Sequence, residues 1–514
     1  MPDSLSLPPY ADTVIIGGGT AGAVVAGLLT EQSDKSILVL EAGPDYGPVD
    51  SGRWPEVFLD ARLGYDNAWG YDSGDTYPDR LVPFERARVI GGCSSHNGCA
   101  AIWGSRLDYD NWVALGNPGW SADELLPLFR EADHRLNVRR YGPEEITPFQ
   151  QACLDAAHAI GIPRAADLND LDDDVGIAPS PANIRDGIRW NTAFGFLDPV
   201  RERPNLLIRD NVVVDRLVIA DDRVTGVVAI AAEGPQTIAA GRVVLAAGTY
   251  GSPAVLLRSG IGDPDQLAGL GVEPVLLLPG VGANLHDHSQ LNVTFSGTTE
   301  LVERMMEFAD QHWMPGEQDI AKLRSCHYPN DALGFDLHIW PVGGRDPHDR
   351  EAWLWVLPVS CMTPRSRGRL WLNTTDPAAS PLIDHGYLSD PEKSDRAVLL
   401  DGVRIAREMA SQSPLRELLG EETAPGSGVT SPVDLERWAE ANVVHYYHPV
   451  GTCAMGPAGD PAAVVDARGS IHGLTNAVIA DCSIMPVIPR ANTNLPAVVV
   501  GMRVARWLLA DCES

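Results

Sequence analysis

Three glycines and one acid near the start of the chain have the spacing of a pyrophosphate cradle. Thr13–Ile16 is a short β-branched and apolar run leading into Gly17-Gly18-Gly19-Thr20-Ala21-Gly22, a G-x-G-x-x-G with its glycines at 17, 19 and 22. Gly17 allows the tight turn, Gly19 lets the backbone approach a pyrophosphate, and Gly22 lets helix and strand pack closely. The pyrophosphate would rest against Thr20 and Ala21 at the start of a helix, where free N–H groups and the helix dipole favour an anion. Glu41 closes a second apolar run, Ile37–Leu40, and with Ala42 stands where a ribose-binding acid belongs. Strand, glycine turn, helix, strand and acid together indicate a dinucleotide, and they leave FAD or NAD open.

Further along lie two more kinds of chemistry. Gly91-Gly92-Cys93-Ser94-Ser95 is a flexible loop rich in donors, able to wrap a phosphate or the edge of a ring system with backbone N–H groups. Histidine titrates near neutral pH, so His448 suits a base or an alkoxide stabiliser; taken alone it reads sooner as a buried histidine satisfied by hydrogen bonds. Asn492 offers a donor and an acceptor that do not ionise. Val243–Ala247 reads as another strand of the nucleotide sheet, with Gly248 opening the turn into a helix. His445 is read as lying one helical turn before His448, in a structural role.

Four ordered segments carry a family resemblance. Ala87–Asn97, Gly248–Gly262, His448-Pro449-Val450-Gly451-Thr452 and Ala491–Pro496 resemble, in order and spacing, the signatures and active-site segments of the glucose–methanol–choline (GMC) oxidoreductases. The resemblance implies an α/β fold, with a Rossmann-like FAD-binding domain and an inserted α+β substrate domain made of an antiparallel sheet covered by helices. It implies FAD as cofactor and hydride transfer from an alcohol carbon to flavin N5, with His448 and Asn492 facing that carbon. The flavin contacts it implies are Arg88, Gly91, Gly92, Ser95, His96, Asn97, Gly98, Val213, Asp481, Asn492 and Thr493, with Asp481 equally readable as a turn-forming residue. The Gly248–Gly262 signature is architectural and receives no catalytic role.

Within the family, Gly91–Cys99 is similar to the choline oxidase branch, whose histidine at the position of His96 is bonded to the flavin. A neutral imidazole nitrogen is a capable nucleophile, so FAD attached covalently through His96 is expected. The likeness breaks at the substrate site. Gln290 stands where that branch has a glutamate facing a trimethylammonium group, Tyr446 replaces a small aliphatic residue, and Gly98 replaces a serine. An amide cannot pair with a quaternary ammonium as a carboxylate would. The expected substrate is therefore a neutral primary alcohol, aromatic or part of a larger molecule, met by Gln290, Tyr446, Tyr447 and Trp340. O2 is the expected acceptor, giving H2O2 and an aldehyde. The alternatives are a dehydrogenase using a quinone or other carrier, and an FAD-containing hydroxynitrile lyase.

The elements that must position these residues need two domains, since 514 residues exceed one simple core. The FAD-binding domain is placed at 1–140, 180–289 and 446–514, and the substrate domain at 141–179 and 290–445. The second insertion holds Trp313, Trp340, Trp353 and Trp355, some as candidate cavity walls, although core packing is the commoner role of Trp. A net charge of −30 repels nucleic acid and anionic membrane surfaces. No apolar run is long enough to span a membrane. Eight scattered cysteines without a CxxC, and no secretory signal in Met1–Asp12, fit a reduced cytoplasmic protein. No metal is expected: His286-Asp287-His288 belongs to the family pattern, and Asp167–Asp174 reads as a solvated loop without EF-hand spacing. Homodimers are common in the family, and the sequence carries no interface signal.

Overall fold

Val14, Ile15 and Ile16 are buried on both faces of their strand, the pattern of a parallel sheet covered by helices. A computed structural model describes residues 7–63, 68–73, 80–172, 175–329, 332–346 and 351–513. In it β1 (Tyr10–Ile16), α1 (Thr20–Gln32) and β2 (Ile37–Leu40) form the first right-handed unit. β3 (Leu206–Arg209) continues the parallel sheet beyond β2, while β4 (Val213–Ala220), β5 (Arg223–Ala231) and β6 (Gly234–Leu245) form an antiparallel meander. β6 belongs to both arrangements. Its first half pairs antiparallel with β5, and its last residues run parallel between β1 and the strand Ala477–Ile479. After it comes α2 (Gly248–Arg258). α1 is rich in Ala, Gly and Val and is buried from Ala21 to Thr30, packed against the sheet and the C-terminal helix Asn494–Glu513.

The second sheet is antiparallel. β7 (Ser289–Gly297), β8 (Asp319–Leu323), β9 (Leu337–Ile339) and β10 (Trp353–Cys361) run in the order β7-β10-β9-β8. Gly176–Pro179 extends it beside β8, and Leu419–Ala424 and Val444–His445 both pair with β7. The helices Pro148–Ala159 and Ser394–Ala410 pack on one face around Phe149, Trp355, Leu357 and Leu399. The other face carries Trp340, Phe335, Ile320 and Tyr446. Both layers are those expected from the sequence.

One local expectation fails. His445 is not a helical turn away from His448: Val444–His445 is a strand on β7, and Tyr447 has a left-handed φ of +67°. Ladder pairing sets this segment, and the positive φ turns the chain sharply before His448.

Among the described residues no helix is long and apolar enough to cross a membrane. Asp167 and Asp172 pair with Arg140 and Arg106, while Asp173, Asp174 and Met1–Ser6 lie outside the described residues.

Candidate active site

The cradle is built from two loops locked together. A Cβ on Gly22 would stand 1.9 Å from the Gly17 carbonyl oxygen, so helix and turn approach as closely as glycine permits. The N-terminus of α1 has no side-chain cap and no acid in its first turn, leaving its N–H groups for an anion. The second loop docks on the first: Gly91 donates to the Gly18 carbonyl at 2.8 Å, and Ser94 N–H donates to the Thr20 hydroxyl at 3.1 Å. Glu41 ties the strand ends, accepting from Gly18 N–H and Gly43 N–H at 2.8 Å each. Burial pushes its carboxyl up to about 7, and each oxygen keeps a lone pair for a further donor. Arg88 donates to the Ala42 carbonyl at 3.0 Å, and Val213 follows directly on Val212, whose N–H bonds the Glu41 carbonyl. The residues present therefore fit a dinucleotide pyrophosphate with its sugar toward Glu41.

The loop that carries His96 is pinned by Arg189. This guanidinium is fully buried and donates to the carbonyls of Ser95 (3.0 Å), Asn97 (2.8 Å), Phe58 (3.0 Å) and Val57 (3.2 Å), and also to Leu63. Ser95 donates to the Ile90 carbonyl. Beneath the loop, burial pushes the Cys93 thiol up, but Arg86 and His96 outweigh it and hold it near 6. Arg86 Nη2 also donates to the Tyr447 carbonyl at 3.0 Å.

His448 is set by a zipper between two distant segments. Tyr446 N–H donates to the His288 carbonyl, His448 N–H to Asp287 Oδ1 at 2.9 Å, and His286 and Val450 exchange backbone bonds. His448 Nδ1 then faces His288 Nδ1 at 3.0 Å. On its other side His448 Nε2 lies 3.4 Å from Asn492 Nδ2, which lies 3.4 Å from the Tyr446 hydroxyl. Asn492 Oδ1 is buried with no protein partner. Tyr446 stacks on Trp340 at 4.7 Å and 13°, a flat aromatic wall beside the pair. Burial pushes His448 well below the usual imidazole range, helped by His288 and Arg86, and brings His288 down to about 3. Both rings are therefore neutral at physiological pH. A neutral imidazole and an amide donor within 3.4 Å of each other can bind one hydroxyl: the amide donates to its oxygen, and the ring accepts its proton.

The structure thus brings His448, Asn492, Tyr446 and Trp340 together. Gln290 sits behind them, bonded to Asn292 at 2.8 Å and reached by Ser360, the acceptor of Trp340 Nε1. The Tyr447 ring packs edge-on against His445 instead of joining this group. Asp481 accepts from Gly248 N–H, Ser252 Oγ and Ser483 N–H, so its carboxylate ties a turn to the start of α2. Thr493 directly precedes the C-terminal helix. His286 donates from Nδ1 to the Asn284 carbonyl and accepts from Ile488 N–H at Nε2. Among the described residues no three His, Cys, Asp or Glu are placed to hold a metal.

Sequence reasoning missed three members. His288 was visible only as part of the Asp287-His288 pattern. His338 lies on β9 with neither ring nitrogen hydrogen-bonded, its ring 6.4 Å from that of Tyr446. Glu317 approaches Gly98 and Tyr446 from just before β8; no local motif marks it.

Family models described as GMC oxidoreductase match residues 11–290 and 364–501. The chain is a GMC oxidoreductase. An oxygen-dependent choline dehydrogenase of Vibrio vulnificus is 30% identical over 97% of this chain and 94% of its own length. The mitochondrial choline dehydrogenase of Mus musculus is 32% identical over 96% of this chain and 88% of its own. Among solved structures, pyridoxine 4-oxidase from Mesorbium loti superposes with a TM-score of 0.85 at 26% identity, covering 97% of this GMC oxidoreductase and 99% of the oxidase. A fungal aryl-alcohol oxidase shares the fold at a TM-score of 0.81 and 23% identity, covering 99% of this chain and all of its own. GMC oxidoreductases bind FAD, and the cradle described above is where this one would hold it.

Proposed function

We propose that this GMC oxidoreductase is an FAD-dependent alcohol oxidase that converts a primary alcohol to the aldehyde and reduces O2 to H2O2. The observation that carries the reading is the meeting of His448 Nε2 and Asn492 Nδ2 at 3.4 Å, walled by Tyr446 and Trp340. Bound FAD supplies the hydride acceptor. Asn492 Nδ2 donates to the substrate oxygen, and neutral His448 takes the hydroxyl proton at Nε2. Protonated His448 then holds positive charge beside the place where oxygen is reduced. The aromatic wall and the burial of the site keep water out. Support for an alcohol comes from the choline dehydrogenases and pyridoxine 4-oxidase among its relatives. Support for O2 comes from the oxygen-dependent and oxidase names among them.

We also assign a covalent bond from His96 to the flavin, supported by its place in the loop that Arg189 and Ser94 hold against the cradle. The cytoplasm is the compartment we favour, on the seven free cysteines among the described residues.

Anaerobic mixing with a panel of primary alcohols, followed by air, tests the function. Bleaching of the flavin with fast recovery and peroxide is expected. Bleaching without recovery in air would assign a carrier-dependent dehydrogenase, and no bleaching by any alcohol would remove the alcohol reading and favour a lyase.

A further inference from the structure

Among the described residues Glu317 has no hydrogen-bond or ion-pair partner, and it lies at the edge of the active site. Its neighbours Cys99, Arg189 and Tyr446 are buried, at 0%, 0% and 3% exposure. Glu317 itself keeps part of its surface accessible. Its carboxyl touches the exposed Gly98 and lies within electrostatic reach of Cys99 and Tyr446. No described group donates a hydrogen bond to its oxygens, and no described cation pairs with it. Arg189 acts on it electrostatically, but every nitrogen of that guanidinium already bonds a loop carbonyl. Burial outweighs Arg189 and pushes the Glu317 carboxyl up to about 7: the group lacks the positive partner that a buried carboxylate needs.

Room for it is made by Gly98. A Cβ at residue 98 would stand 1.6 Å from Glu317 Oε1 and 2.8 Å from its carboxyl carbon. Any larger residue at 98 would displace the carboxylate, so Gly98 and Glu317 are one steric unit. The carboxylate also acts on the Tyr446 phenol, whose hydroxyl receives Asn492 Nδ2 at 3.4 Å. Tyr446 therefore stands between the hydroxyl-binding pair and a carboxylate with free lone pairs.

We propose that Glu317, in the space Gly98 leaves, binds a protonated nitrogen bearing an N–H on the alcohol substrate. A primary or secondary ammonium, or a protonated ring nitrogen, is the class that fits. Carboxylate lone pairs accept a directed charge-assisted N–H bond. A quaternary ammonium has no N–H to donate, and one face of both Tyr446 and Trp340 is covered by their mutual stack. The chain's net charge of −30 draws cations toward the protein as a whole. The charged group is thus offered from the segment just before β8 and not from Gln290, whose amide is bonded to Asn292.

This deepens the alcohol reading and rests on it for the kinetic arm of its test. Two measurements on the flavin-loaded enzyme separate them. The first is equilibrium binding of benzylammonium, which has no hydroxyl to oxidise, followed by perturbation of the flavin spectrum. Wild type should bind it, and Glu317→Gln should bind it about tenfold more weakly or worse, with Glu317→Asp in between. The second is the ratio of kcat/KM for 4-(aminomethyl)benzyl alcohol to that for 4-methylbenzyl alcohol. The ratio should be roughly tenfold or more in wild type and fall toward one in Glu317→Gln. Gly98→Ser should reduce both signals by displacing the carboxylate. Equal benzylammonium binding by wild type and Glu317→Gln would overturn the proposal, as would a wild-type ratio near one. Oxidation of 4-methylbenzyl alcohol without preference for the amine would sink this proposal and leave the alcohol reading standing. Benzylammonium binding without oxidation of any alcohol would do the reverse.

Discussion

The imidazoles of His288 and His448 meet Nδ1 to Nδ1 at 3.0 Å. Two unprotonated nitrogens repel at that distance, so one carries the hydrogen. In the proposed mechanism His448 must leave Nε2 bare to accept a proton. Its Nδ1 then bears the hydrogen and donates to His288, which carries its own hydrogen on Nε2. His288 thereby fixes the tautomer of His448, as a carboxylate does in a hydrolase triad, but without bringing a charge.

Removing His448 should slow flavin reduction by alcohol about 10²–10⁴-fold in His448→Ala. Anaerobic stopped-flow bleaching measures it. A rate close to wild type would strip His448 of its role.

His288→Phe removes the acceptor that orients the ring. A fall of about 10²-fold in the reduction rate is expected, the cost of a misplaced catalytic group, with little change in substrate affinity. His288→Gln keeps an acceptor oxygen and should recover part of the loss, whereas a purely structural His288 would show no such recovery.

If His448 is the proposed base, its depressed pKa sets the acid limb of activity. An ordinary histidine loses half its free base near pH 6.5, by about the reference value for imidazole. Buried His448 is held well below that. kcat/KM for a neutral alcohol should therefore stay level from pH 8 down past 6.5. A midpoint near 6.5 would show that the ring is solvated during turnover.

Covalent attachment predicts that flavin stays with the polypeptide after acid precipitation, as a fluorescent band on a denaturing gel. His96→Ala should release it. Flavin that washes out of denatured wild type would refute the bond directly.

His338 gives a stability test. Its pKa is pushed well below the usual value by burial, with His288 and Lys322 adding to the effect. The unfolded chain takes up a proton near pH 6.5 that the native chain refuses, so its contribution to stability is present above that pH and is lost on acidification, by about 1.4 kcal/mol per pH unit. His338→Phe should gain thermal stability relative to wild type between pH 6.5 and 5.5. Parallel melting curves at the two pH values show it; a constant offset would mean that the ring protonates in the folded state.

Legibility followed locality. The cradle could be read because strand, turn, helix and acid are contiguous in β1, α1 and β2, and each glycine has a local reason. His448 and Asn492 were found through the motifs around them, not through any property of an isolated histidine or asparagine. His445 was misread because a three-residue interval mimics a helical turn, while the segment is in fact held as a strand by β7. Glu317 was hidden for a different reason. Its meaning lies in the missing side chain of Gly98, and nothing in either neighbourhood points to the other. Gln290 drew attention at the aligned position, but its amide is bonded to Asn292 behind the wall.

The zipper that joins residues 286–290 to residues 444–450 has a consequence for assembly. Each half of the candidate site comes from a segment the other half needs, and β7 is a strand of the antiparallel sheet. The cradle loop is tied to the same zipper, since Arg86 donates to the Tyr447 carbonyl. A chain truncated before residue 444 would lose, with the zipper, the Ala477–Ile479 strand beside β6 and the C-terminal helix that covers α1, so the last segments complete the nucleotide sheet and the His288–His448 contact together. In the proposed mechanism, a molecule gains the ability to oxidise an alcohol only after its last segments have been threaded back onto its middle.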